Sequence, residues 1–102
     1  MPHVKVRDLL KMAGDNKFAV AAYDVFDFAS AKWVVEAAER EKLPVMLMFY
    51  PSMRSFIPLP VIAAILTKVA EGAKVPVGVH LDHSNTYELA VEGAAAGFQS
   101  IM

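Results

Sequence analysis

Apolar positions along the chain switch between two spacings. From Val4 to Met12 they recur every three or four residues, with Val6, Leu9, Leu10 and Ala13 on one side, which predicts a short amphipathic helix. Gly14-Asp15-Asn16 is expected to end it with turn residues. Lys17–Asp24 is then a nearly continuous apolar run closed by Asp24, the pattern of a buried strand. A second helix is expected over roughly 29–42, capped by Asp27 or Ser30. Trp33, Val34, Ala37 and Ala38 form its apolar stripe, and Glu36 and Arg40 stand at i,i+4 spacing for an ion pair. Pro44–Tyr50 predicts a second strand, closed by Pro51-Ser52. Pro58–Ala70 predicts a third helix with Pro60 in its first turn, Val61, Ile62, Ile65, Leu66 and Val69 inward, and Gly72 as its stop. Val75–Leu81 is a third strand. Residues 86–96 form a fourth helix with Leu89, Ala90 and Ala94 inward and Gly97 as C-cap, and Phe98–Met102 begins a further strand.

A helix, three βα units and the start of a fourth strand make an α/β protein. Strands apolar on both faces and joined by helices imply a parallel sheet with right-handed crossovers. No Gly-x-Gly-x-x-Gly follows the first strand and no Walker loop is present, so a nucleotide-binding fold lacks its fingerprint. A (β/α)8 TIM barrel takes eight such units and about 250 residues. The expectation is therefore one domain, residues 1–102, forming the amino-terminal part of a TIM barrel truncated at its carboxyl end.

Composition sharpens this. Hydrophobic residues are 56% of the 102, a high share for a chain whose size leaves much surface exposed, so part of that surface is expected to be covered. No apolar run approaches the ~18–20 residues of a membrane span, and Met1-Pro-His-Val-Lys5 has no leader character. A cytoplasmic protein without a membrane partner is the expectation. Ten Lys plus Arg against eleven Asp plus Glu, with no basic run, argue against nucleic acid. The absence of Cys excludes disulfides, thiolate catalysis and Cys-ligated zinc.

The candidate chemistry lies in Val75–Asn85. Val75, Val77, Val79 and Leu81 alternate, which puts Gly78, His80 and Asp82 on the opposite face. His80, Asp82 and His83 then fall at the carboxyl end of the strand, where parallel α/β folds build their sites. Ser84, Asn85 or Thr86 can cap the following helix, so Asp82 is not needed there. His-x-Asp-His alone names neither a metal nor a reaction.

Lys17–Tyr23, the helix with Glu36-Ala-Ala-Glu39, Pro44-Val-Met-Leu47, Val77–Ser84 and Gly97-Phe-Gln-Ser-Ile-Met102 together resemble, in order and spacing, the amino-terminal part of class II, zinc-dependent ketose-bisphosphate aldolases. The resemblance covers essentially the whole chain and about the first third of a family member. It implies that Asp82 is the catalytic acid/base, His83 the first zinc ligand and His80 a supporting residue. Zinc held by imidazoles polarises a ketone. A carboxylate beside it can take the hydroxyl proton of the departing aldehyde half and return it in condensation. The resemblance further implies a phosphorylated sugar substrate, fructose or tagatose 1,6-bisphosphate, and a homo-oligomer of two or more copies.

Departures bear on the substrate. The family usually reads Ala-Phe-Asn after the first strand, then a second Asn and a Glu; this chain has Ala22-Tyr-Asp24, Asp27 and Ala29. After the second strand the family usually offers Ser or Thr with Gly, whereas here stands Phe49-Tyr-Pro-Ser52, with Ser52 the hydroxyl equivalent. Asp24 and Asp27 make the expected site more acidic, which suits a cation better than a bisphosphate, although Asp27 is equally placed to begin the helix. Two alternatives follow. One is a related metal-dependent aldolase with a different substrate. The other is a non-catalytic half-barrel that pairs with another chain through an exposed strand edge.

Overall fold

A computed structural model describes residues 3–102; Met1 and Pro2, the first residues of the leader reading, lie outside it. The elements run α1 (Val6–Asn16), β1 (Ala21–Asp24), α2 (Phe28–Glu41), β2 (Val45–Phe49), a 3-10 turn (Pro51–Ser55), α3 (Leu59–Glu71), β3 (Val77–Leu81), α4 (Tyr87–Ala96) and β4 (Ser100–Ile101). The four strands form one parallel sheet in the order β1-β2-β3-β4. Sequential order means that each crossover advances the sheet by one strand in the same direction. With right-handed crossovers, α2, α3 and α4 then share one face. That is the winding of a barrel; a doubly wound sheet reverses its strand order partway.

The two faces differ. Val45, Leu47, Phe49, Val77, Val79 and Leu81 point toward the crossover helices and meet Val35, Ile62, Ala63, Leu66 and Leu89 in the core. The other face carries Met46, Met48, Gly78 and His80, and α1 lies across it. A Cβ on Gly78 would stand 3.0 Å from Val6 Cγ2 and 3.2 Å from Leu9 Cδ2, so the missing side chain is what lets α1 approach. Across the sheet, a Cβ on Gly93 would overlap the Leu81 side chain, so α4 also needs its glycine.

Several expectations are corrected. Helix α1 runs on through Gly14-Asp15-Asn16 and ends at Lys17, whose left-handed φ of 59° turns its N–H back to Ala13 O and Gly14 O. Phe18 N still bonds to Ala13 O, so the residues after Lys17 are occupied in leaving the helix and β1 starts only at Ala21. In α2 the buried residues are Ala31, Val35 and Ala38, while Trp33 is 66% exposed and Ala37 also faces out. The ion pair on that helix joins Lys32 to Glu36 at 3.6 Å, not Glu36 to Arg40. In α3, Val61 is exposed and Ala63 and Ala70 are buried; in α4, Gly93 is buried and Ala94 exposed. The misplaced helix faces share a cause. Close packing of a helix on a sheet favours its small residues at the contact line, whereas a reading by hydrophobic bulk favours the large ones.

Candidate active site

The carboxyl end of β3 is fixed from both sides. Asp82 N donates to Phe49 O of β2 at 2.9 Å, and Met102 N donates to Leu81 O at 2.9 Å. Ser84 N reaches Met102 O at 2.7 Å, so the turn after the strand is tied to the segment that follows β4. Between these anchors His83 has a left-handed φ of 44°. Such a conformation costs a non-glycine residue on the order of 1–3 kcal/mol and persists where the surroundings over-determine it.

Asp82 stands between two imidazoles. Its Oδ1 is 3.6 Å from His80 Nε2 and its Oδ2 is 3.6 Å from His83 Nε2, just beyond hydrogen-bond length. The Asp82 and His80 side chains are 16% and 15% exposed, while His83 is 62% exposed. The edge of the Tyr50 ring meets the His83 ring, with centroids 6.4 Å apart. On its other side His80 Nδ1 lies 2.7 Å from Ser100 Oγ. Burial holds the His80 pKa below its ordinary 6.5, and the neighbouring Asp82 carboxylate offsets only part of that, so the ring is neutral at neutral pH. Helix α4 is capped by Thr86, whose Oγ1 accepts from Leu89 N at 3.1 Å, leaving Asp82 without a capping role.

Above these groups opens a polar cavity of about 480 Å³, lined among others by Asp24, Tyr50, Ser52, Arg54, Asp82 and His83. The fold thus gathers Asp24, Ser52, Asp82 and His83, with His80 beneath Asp82. Asp27 is not brought in. It is the N-cap of α2: its Oδ1 accepts from Ser30 N at 2.7 Å while Ser30 Oγ accepts from Asp27 N at 3.2 Å. The Ser30 backbone N–H, then its hydroxyl, hold the Asp27 carboxyl below its ordinary 3.8. Arg54 is the group that sequence reading misses. The turn begun by Pro51 carries it to the cavity rim, where its Nη1 donates to Pro51 O at 3.1 Å. An arginine three residues beyond a proline at a strand's carboxyl end was the available signal. A second, apolar trough of about 460 Å³ lies away from this chemistry, between Phe18, Tyr23, Trp33 and Leu43 beside β1.

Among the described residues no three His, Cys, Asp or Glu side chains gather to hold a metal. His83 fits as one ligand: its ring is exposed to the polar cavity and, among the described residues, makes no hydrogen bond. Among them also, no helix is long and apolar enough to cross a membrane.

Comparison with known proteins agrees with the fold. The Bacillus subtilis (strain 168) protein named "Probable fructose-bisphosphate aldolase" is 30% identical over 105 residues, which span all of this chain and 37% of that protein. The fructose-bisphosphate aldolase of Staphylococcus aureus (strain Mu50) is 29% identical over 108 residues, again spanning 37% of its length. This chain therefore spans little more than a third of those relatives. The crystal structure of the YdjI aldolase from Escherichia coli K12 superposes with a TM-score of 0.89 at 25% identity, covering 98% of this chain and 39% of that one. The sheet and its helices have the architecture of the first part of a TIM-barrel aldolase. Residues 4–102 match the profile described as fructose-bisphosphate aldolase class-II, and the chain belongs to that family.

Proposed function

We propose that residues 1–102 are the amino-terminal portion of a zinc-dependent class II aldolase. It cleaves a ketose bisphosphate of the fructose or tagatose 1,6-bisphosphate type to dihydroxyacetone phosphate and an aldehyde, and runs the reverse condensation. One observation carries the reading. Asp82 is a largely enclosed carboxylate at a strand's carboxyl end, free of capping duty, with an imidazole 3.6 Å from each oxygen and a polar cavity in front.

In the cleavage direction, the hydroxyl on the carbon that becomes the aldehyde must lose its proton as the carbon–carbon bond breaks. Asp82 accepts that proton and returns it in the condensation direction. His80, neutral, faces Oδ1, which leaves Oδ2 toward His83 and the cavity. When bound, zinc supplies Lewis-acid polarisation of the ketone oxygen. His83 would be one of its ligands, and since a zinc site takes at least three protein groups, the others would have to come from outside the described residues. Arg54 and Ser52 on the rim provide donors for a phosphate group. The enzyme acts as a cytoplasmic homo-oligomer, in keeping with the family resemblance.

A second reading, a related metal-dependent aldolase with a different substrate, is favoured by Asp24, whose carboxylate lines the same cavity and opposes a bound phosphate. The test is an assay of the full-length natural protein with both sugar bisphosphates, with zinc and after chelation. Cleavage that disappears on chelation and returns with zinc is expected. Failure to cleave either sugar, or cleavage indifferent to chelation, would overturn the first reading.

A further inference from the structure

Among the described residues strand β4 contributes Ser100 and Ile101 to the sheet, and Ser100 reaches the site. The parallel register pairs Ser100 with His80, and side chains paired in this way project from the same face. Ser100 Oγ lies 2.7 Å from His80 Nδ1, and His80 Nε2 lies 3.6 Å from Asp82 Oδ1. The three groups form a line: hydroxyl, imidazole, carboxylate.

A neutral imidazole has one N–H and one lone pair. An ionised carboxylate only accepts. If the proton sat on Nδ1, the Nε2 lone pair would face the Asp82 oxygens and repel them. With the proton on Nε2, the ring offers an N–H to Asp82, and a small closing movement makes it a hydrogen bond. Nδ1 must then accept, and the Ser100 hydroxyl, which can rotate to suit, must donate.

We propose that Ser100 is a positioning residue for Asp82: its hydroxyl donates to His80 Nδ1, fixes the tautomer protonated on Nε2, and so directs an N–H at Asp82 Oδ1. The inference rests on reading Asp82 as the proton-transfer group and extends that reading to the fourth strand. Fixing a tautomer through the partner of the other ring nitrogen is a general device for holding a working histidine. Here the gain is orientation of the carboxylate, with Oδ2 left for the cavity.

Two measurements test it in the full-length natural protein. The first is 15N NMR of the His80 ring near neutral pH, assigned by the signals lost in His80→Gln. Nδ1 is expected to resonate as an unprotonated nitrogen and Nε2 as a protonated one. Ser100→Ala should convert the ring to a tautomer mixture, and Ser100→Thr, which keeps the hydroxyl, should restore the wild-type pattern. A protonated Nδ1 in the wild type, or nitrogen shifts unaltered in Ser100→Ala, would overturn the inference. The second is steady-state kinetics. Ser100→Ala should lower kcat roughly tenfold with KM little changed, less than the ~10²–10⁴-fold of a lost acid–base group, and Ser100→Thr should recover most of it. A tautomer change with unaltered kcat would also overturn the positioning role. Should the wild type cleave no sugar, the functional reading fails, and the NMR result by itself decides for or against the Ser100–His80 arrangement.

Discussion

An aspartate that lines the polar cavity ends β1 and another directly follows β3, but the two are held differently. β3 lies between β2 and β4, with Val77 and Leu81 fully buried and backbone bonds leaving Leu81 and Asp82 on both sides. Among the described residues β1 pairs with β2 alone, and three of its four residues are exposed. Asp82 is enclosed and faced by two imidazoles, whereas Asp24 is an exposed carboxylate. The proton transfer proposed for Asp82 needs a group held in one geometry, and β3 can supply it.

Stability should follow the same division. Leu81→Ala empties a fully buried position and should cost about 2–5 kcal/mol in urea or thermal unfolding. A loss well under 1 kcal/mol would mean that β3 is not the structural centre. Gly78→Val should come next, at about 1–3 kcal/mol, because the added side chain meets Val6 and Leu9 of α1. If that variant matched the wild type, α1 would not be seated on the inner face. Tyr23→Ala on β1, where the residue is 53% exposed, should stay within about 0.5 kcal/mol. A larger loss would show that the β1 flank, with the apolar trough beside it, is covered in the protein as it works.

The contrast between the two regions also marks how far the sequence could be read. Element order, the parallel sheet and the alternation placing His80 and Asp82 opposite Val79 and Leu81 were legible, because period-2 patterning and strand-sized apolar runs are local properties. The pairing of His80 with Ser100 was not legible, since it depends on register between strands twenty residues apart. The buried faces of α2 and α4 were misread where Trp33 and Ala94 outweighed Ala31 and Gly93. Asp27 looked like a site residue and a cap at once. Its hydrogen bonds with Ser30 decide for the cap, and only geometry could decide it.

That cap carries a pH signature and the smallest of the expected effects. The Asp27 carboxyl is held below its ordinary 3.8 in the folded chain, so its stabilisation is present above that value and fades as pH falls through the lower folded pKa. Asp27→Ala should therefore be less stable than the wild type at neutral pH, and the gap should close in strong acid. Unfolding midpoints measured across that range check it. A gap that persists unchanged at the acid end would mean that the ionised carboxylate is not what caps α2.

The proposed division of labour gives the proton to Asp82 and the metal to His83, adjacent residues at the end of β3. The direct measurement is zinc content and cleavage rate, side by side, in full-length Asp82→Ala and His83→Ala. Asp82→Ala is predicted to keep its zinc and lose about 10²–10⁴-fold in turnover, and His83→Ala to lose both. Near-normal turnover in Asp82→Ala, or full zinc content in His83→Ala, would contradict the account.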